Sequence, residues 1–222
     1  MTGVQTCALP ILPAGKHGWV RRATIENLGN FDTAIELIDG LQNVLPAGVE
    51  RKTQNEFSTL VDGYKKTELV PTATNALALF RMEAILVDRA EPSESLRCNT
   101  VYCLGLPRCT YSVSPDSLRA FRAGKQTAAA TESKGVRGAF WAQTSLVLPA
   151  RGSQTWYFVA DVSQDAVQVR HLIRVIDRTD AIAAIEAAMQ QSTDTLRAIV
   201  AQNDGIQQTA DEHNDEIGRA HV

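Results

Sequence analysis

Long hydrophobic runs are missing from this chain, and their absence removes one class of function. No stretch approaches the roughly 18 consecutive apolar residues that a membrane-spanning helix needs. Yet 44% of the residues are hydrophobic, a share normal for a globular domain. An excess of either charge is missing too. Lys and Arg number 22 against 25 Asp and Glu, a formal net charge of −3, so there is no electrostatic case for nucleic acid or an acidic membrane surface. Cysteine is scarce: Cys7, Cys98, Cys103 and Cys109. No paired C-x-x-C spacing joins them, which argues against a disulfide framework and against a zinc site. Cys98, Cys103 and Cys109 read instead as buried strand residues. Catalytic constellations are also lacking. The acidic candidates Asp39, Asp62, Asp88 and Glu91 have no spacing that singles out a general acid and base. His171 stands without a partner motif and reads as a helix-face residue. No catalytic, cofactor-binding or metal-ligating residue is assigned, and no cofactor is expected.

The two ends differ from the middle. GVQTCALPI, ending at Ile11, can be encoded by GGA GTT CAG ACG TGT GCT CTT CCG ATC. EIGRAHV, starting at Glu216, can be encoded by GAG ATC GGA AGA GCA CAC GTC and a stop codon. Apart from its leading GA, the second string is contained in the reverse complement of the first. Both resemble a common short-read sequencing adapter translated on opposite strands. Residues 1–11 and 216–222 are therefore expected to be adapter read-through, with a natural segment from about Leu12 to Asp215 cut from a longer protein. A secretory reading of the start fails, because the basic n-region is absent and the apolar run is too short. The exclusion takes Cys7 and His221 out of any site argument. With the natural N-terminus lost, the compartment stays unassigned.

What is present is sheet first and helix last. Trp19–Glu26 and Thr33–Ile38 are rich in β-branched and aromatic residues and flank Asn27-Leu28-Gly29-Asn30, which favours a tight reversal. The pattern predicts a β-hairpin leading into a loop that ends at Pro46 and Gly48. Phe57, Leu60, Val61 and Tyr64 then fall at helical spacing, predicting a short helix on the sheet with Gly63 as its weak point and Pro71 closing the segment. Asp62, Lys65, Lys66 and Glu68 read as a solvated face, with a sugar-lining role as the alternative. Leu77–Asp88, Leu96–Leu104 and Cys109–Val113 follow as strands. Ser114-Pro115-Asp116 opens a short helix bearing Leu118 and Phe121, and Gln126–Lys134 is an exposed loop. Gly138–Leu148 and Thr155–Val162 are the clearest late strands, joined by a hairpin turn at Pro149–Ser153. Trp141 and Trp156 invite a carbohydrate-stacking role, but tryptophan within a strand more often packs.

In the last third, Ser163 is expected to cap a helix to about Ile176, with Val167, His171, Leu172 and Val175 as its buried stripe. Thr179 or Asp177 then caps a long helix to about Asn203. Ile182, Ile185, Met189, Leu196 and Ile199 recur at steps near three and four, a narrow packing seam interrupted by Ser192. Asp204-Gly205 ends it. The fold class is α+β, mainly β: an antiparallel β-sandwich over residues 12–162 followed by a helical linker over 163–215.

DGLQNVLPAG, LVDGYKKTEL, DRAEPSESLR, TWYFVADV and NDGIQQTAD resemble the N-terminal region of cellobiose-phosphorylase-like proteins, related to the glycoside phosphorylases and cyclic β-glucan synthases. The resemblance covers nearly all of the natural segment but rests on structural strings, not catalytic motifs. It implies a β-sandwich, a helical linker, and beyond Asp215 an α/α toroid that carries the catalytic acid. No catalytic residue transfers to this chain. The implied role is a non-catalytic fragment of a carbohydrate-active enzyme, itself inactive, shaping a sugar site completed by the toroid. The alternative is a stand-alone glycan- or protein-binding sandwich. The expected partners are the catalytic domain of the same longer chain and an oligosaccharide, not nucleic acid or membrane.

Overall fold

The computed structural model describes residues 4–11, 17–84, 95–125, 127 and 129–202. Its strands are β1 (Val4–Ile11), β2 (Trp19–Asn27), β3 (Thr33–Val44), β4 (Lys65–Pro71), β5 (Ala76–Met82), β6 (Cys98–Leu104), β7 (Thr110–Ser112), β8 (Glu132–Lys134), β9 (Gly138–Leu148) and β10 (Ser153–Gln164). Helices α1 (Arg51–Glu56) and α2 (Ser58–Gly63) fall between β3 and β4, and α3 (Ser117–Arg122) between β7 and β8. Helices α4 (Ala166–Val175) and α5 (Ala181–Gln202) close the order. The strands form a large sheet, β1-β2-β10-β6-β5-β4-β8, and a small one, β3-β9-β7. All pairings are antiparallel. The mainly β, α+β class expected from the sequence is what the structure has.

Side-chain parity divides the large sheet between two cores. Successive strand residues point to opposite faces, and here both faces are covered. Ala23, Ile25, Ala78, Phe80, Val101, Cys103, Trp156 and Phe158 face the small sheet and meet Phe140, Ala142, Leu146 and Leu148. The alternate residues Val20, Leu77, Tyr102, Leu104, Tyr157 and Val159 face the helices and meet Ile176, Ala181, Ile185 and Met189. The layers are thus small sheet, large sheet, helices. Burial on both faces explains why β5, β6 and β10 read as continuous apolar runs. Burying a side chain of this size is worth roughly 1.5–3 kcal/mol, so the helical layer is part of the fold's stability.

The two expected hairpins are both crossings between sheets. β2 and β3 lie in different sheets, as do β9 and β10, so neither 27–32 nor 149–152 joins paired strands. Asn27 holds the two crossings together. Its Nδ2 donates to Phe31 O at 2.8 Å, Pro149 O at 3.0 Å and Leu148 O at 3.1 Å. Its Oδ1 accepts from Gly29 N at 2.9 Å, and its own N–H reaches Gly152 O at 2.9 Å. Ala150 N–Asp32 Oδ1 and Arg151 Nη2–Asn30 Oδ1 add further links, at 3.0 and 2.9 Å.

Other boundaries shift for local reasons. The helix expected around Phe57–Tyr64 is α2, with a further short helix, α1, before it, and of the proposed stripe only Val61 is buried. Pro71 ends a strand, β4, not a helix. The long strand expected over Leu77–Asp88 is β5, ending at Met82; Ile85 and Val87 lie outside the described residues. Part of the expected loop 126–134 is the edge strand β8. Asp116 takes the N-cap of α3 in place of Ser114. α4 is capped by Asp165, not Ser163. Asp165 Oδ1 accepts from Val167 N and Gln168 N, and Gln168 Oε1 accepts from Asp165 N, all at 2.9 Å, a reciprocal capping box. The side of α4 packed on the core is Val169, Leu172 and Ile173, each half-buried, while Val167 and His171 are exposed. β1, the stretch read as adapter-derived, lies along β2 at the edge of the large sheet.

Candidate binding groove

The small sheet has one face in the core; its other face is buried at Ala139 and Trp141 and opens to solvent from Gln143 onward. In β9, Phe140, Ala142, Leu146 and Leu148 enter the core, so Gln143, Ser145 and Val147 point the other way. Cross-strand register places Gln143 beside Ile38 of β3 and Thr110 of β7, Ser145 beside Glu36, and Val147 beside Ala34. Leu106, at the start of the β6–β7 loop, is buried in the core. Thr144 Oγ1 donates to Pro107 O at 2.6 Å. The next residue, Arg108, is thereby held at φ 48°, a left-handed conformation uncommon outside glycine and asparagine.

Two adjoining hollows lie on this face. One, of 490 Å³, is lined by Arg108, Thr110, Thr127, Gln143, Thr144 and Ser145, with Ala129 at its side. The other, of 340 Å³, is lined by Ala34, Ile35, Glu36, Arg108, Ser145, Leu146 and Val147. Arg108 and Ser145 belong to both, which makes them one groove across the three strands. The volumes suit a small organic ligand. Thr127 Oγ1 hydrogen-bonds Gln143 Oε1, so the group Gln143 has left to offer a ligand is its NH2. The lining supplies hydroxyls, an amide and a guanidinium, with the single carboxylate of Glu36 at one end. Among the described residues the lining holds no His, Cys or second carboxylate, so these residues supply no general acid and base pair for hydrolysis.

The residues singled out in the sequence go elsewhere. Trp141 is 5% exposed and Trp156 1%. Trp141 Nε1 donates to Ser114 O at 3.0 Å, and Trp156 Nε1 to Asp39 Oδ2 at 2.7 Å. Both indoles pack, as the weight of expectation had it. Asp39 also accepts from Arg21 Nη2 at 2.6 Å, which ties the small sheet to the large one. Asp62, Lys65, Lys66 and Glu68 do not form one surface. Lys65 is 3% exposed, bonded to Gln54 and, at 2.7 Å, to Asp62. Burial raises the Asp62 pKa, but bonds from Lys65 and Gln54 outweigh it and leave the pKa below the ordinary value. On the opposite side of β4, Lys66 pairs with Glu68 at 2.6 Å and Glu132 at 3.0 Å, and Arg81 with Glu68 at 2.8 Å. Burial pushes the Cys98 and Cys109 thiols up to about 11, away from the reactive thiolate. Asp88 and Glu91 lie outside the described residues.

No family model and no curated protein matches the chain. The site therefore rests on geometry alone. Among the described residues no group of three or more His, Cys, Asp or Glu is placed to hold a metal ion, and no helix is long and apolar enough to cross a membrane. Arg108, Thr110, Gln143 and Ser145 escaped the sequence reading. The one signal for them was Gln143-Thr144-Ser145, three polar residues running through an otherwise apolar strand.

Proposed function

We propose that the chain is the non-catalytic β-sandwich region of a carbohydrate-active enzyme, contributing a polar groove to a sugar site that an α/α toroid of the longer protein completes. The observation that carries this reading is the lining of Arg108, Thr110, Thr127, Gln143 and Ser145. A sugar presents many hydroxyls that both donate and accept, and such a lining answers them without the paired acid and base that would cleave a glycosidic bond. The toroid rests on the resemblance of DGLQNVLPAG, LVDGYKKTEL and TWYFVADV to the cellobiose-phosphorylase-like proteins. The exposed Leu196 and Ile199 on distal α5 offer it an apolar contact. The alternative is a stand-alone sandwich that binds glycan or protein and has no enzyme attached. Coding sequence beyond the C-terminal junction separates the two readings: helical repeats support the first, a stop codon or an unrelated linker the second.

The groove itself is tested by NMR titration of the full chain with millimolar β-linked glucose oligosaccharides. Amide shifts confined to Arg108–Thr110 and Gln143–Ser145, lost in Gln143→Ala with the fold intact, are expected. Absence of any shift, or shifts indifferent to Gln143→Ala, would overturn the reading.

A further inference from the structure

We infer that the groove selects an anionic glycan, one whose sugar bears a carboxylate or sulfate group, and that Arg108 is the residue that binds that group. This rests on the sugar-groove reading above and adds the charge of the ligand to it. Arg108 is exposed and lines both hollows. Of the described arginines six meet carboxylates, among them Arg21, Arg81 and Arg178, and Arg22, Arg51, Arg122 and Arg170 share Arg108's lack of a side-chain partner; what sets Arg108 apart is that it is the arginine lining the groove. Arg108 has no hydrogen bond or ion pair with any described residue, although it shares the smaller hollow with Glu36.

Its position is imposed by the fold. Leu106 buries in the core, Thr144 fastens Pro107 O at 2.6 Å, and Arg108 sits at φ 48°. Backbone held in a sparsely populated region, where the surrounding structure over-determines it, is a recurring mark of functional sites. A guanidinium so placed presents a planar fork that matches carboxylate or sulfate oxygens in bidentate fashion. Thr110, Ser145 and the Gln143 NH2 then meet the neutral hydroxyls around the charged group. Glu36, the other charged side chain of the lining, repels a second anionic group near its end of the groove. The ligand that fits is a glycan with one acidic group seated in the larger hollow, at the Arg108 side.

The test compares three probes on the full chain by calorimetry and NMR: a neutral β-linked glucose tetrasaccharide, a β-linked tetrasaccharide containing one glucuronate, and inorganic sulfate. The glucuronate probe is expected to bind about ten- to a hundredfold tighter than the neutral one, the advantage of a charge-assisted hydrogen bond. Arg108→Gln should abolish that advantage, Arg108→Lys should keep part of it, and both variants should melt like the parent. Added salt should shrink it. Equal binding of neutral and acidic probes at the groove would overturn the inference and leave the sugar reading standing. Preference for the acidic probe that survives Arg108→Gln would overturn it too. Sulfate binding as tightly as the acidic sugar would reduce the site to a plain anion site. No groove shift with either sugar would sink both readings.

Discussion

Thr72 and Asp177, 105 residues apart in the chain, meet with 2.8 Å between Oγ1 and Oδ1. The rest of the β4–β5 turn closes on the same carboxylate. Ala73 N donates at 2.6 Å, Thr74 N at 3.2 Å, Thr74 Oγ1 at 2.8 Å and Asn75 Nδ2 at 3.0 Å. Asp177, one of the two residues expected to cap α5, instead fastens the junction of α4 and α5 to a turn of the large sheet. The helical layer is thus held by apolar contacts across the sheet and by polar contacts that include this clasp at its corner.

That clasp gives an acid dependence with a definite sign. Burial alone raises the Asp177 pKa, but hydrogen bonds from Thr74, Thr72, Asn75 and Ala73 N outweigh it and bring the pKa to about 2. A carboxylate depressed on folding stabilises above its unfolded pKa of about 3.9, and the gain is lost as pH falls through the folded value. Asp177→Ala is expected to cost on the order of 1–3 kcal/mol at neutral pH. The difference from the parent should shrink between about pH 4 and pH 2. Urea denaturation across that window checks it, and a gap that stays constant with pH would remove the clasp from the account.

Turnover is the next expectation. With no acid and base pair among the described residues of the groove, the chain incubated with phosphate and a panel of β-linked disaccharides should release neither sugar phosphate nor free sugar. Chromatography of the mixture reads this directly. Reproducible release abolished by a single carboxylate substitution, at Glu36 for instance, would make the chain an enzyme in its own right.

The stretch read as adapter-derived supplies a third test. β1 pairs with β2 from Val4–Asn27 to Ile11–Val20, yet Gln5, Thr6 and Cys7 are exposed. β2 keeps β10 on its other side, from Ser153–Glu26 to Ala160–Trp19. Val4 packs against the core, but β1 is an edge strand, so deleting residues 1–11 should move the thermal midpoint by no more than a few degrees. Loss of the cooperative transition in a calorimetric scan would show that β1 is integral to the sandwich.

Sequence periodicity located elements better than it paired them. Gly138–Leu148 was legible to the residue because β9 is buried on both faces over Gly138–Ala142 and alternates from Gln143 onward. β6 and β10 were legible as apolar runs because both their faces are covered. Sheet membership was not legible at all. Asn27-Leu28-Gly29-Asn30 between two strands has the same local chemistry whether the strands pair or part, and what decides it is Asn27 bonding to Leu148 and Pro149, contacts far apart in sequence. β4 was hidden for a different reason. Lys65 and Thr67 face inward while Lys66 and Glu68 face outward, so polar residues stand on both sides and the period of two carries no hydrophobic contrast. Arg108 gave no pattern because one unpaired side chain has no periodicity.

The seam on α5 was legible, and the structure divides it in a way that can be measured. Ile185 is 1% exposed, packed with Met189 and Ala181 against Leu77, Tyr102 and Val159 of the large sheet. Leu196, on the same helix, is 62% exposed, and Ile199 is exposed as well. Tyr157 Oη donates to Glu186 Oε1 at 2.5 Å, so the proximal half is pinned by a polar contact beside the apolar one. Ile185→Asp replaces a buried aliphatic by an unpaired charge and should cost several kcal/mol. Leu196→Asp changes a solvent-facing position and should stay within about 0.5 kcal/mol, typical of surface substitutions. Equilibrium denaturation of the two variants, with light scattering alongside, separates docking from self-association. If the distal stripe serves as a contact between copies, Leu196→Asp will lower scattering without lowering the midpoint. Equal and large losses in both variants would mean that the whole helix docks within this chain, and distal α5 would no longer be free to meet a further domain.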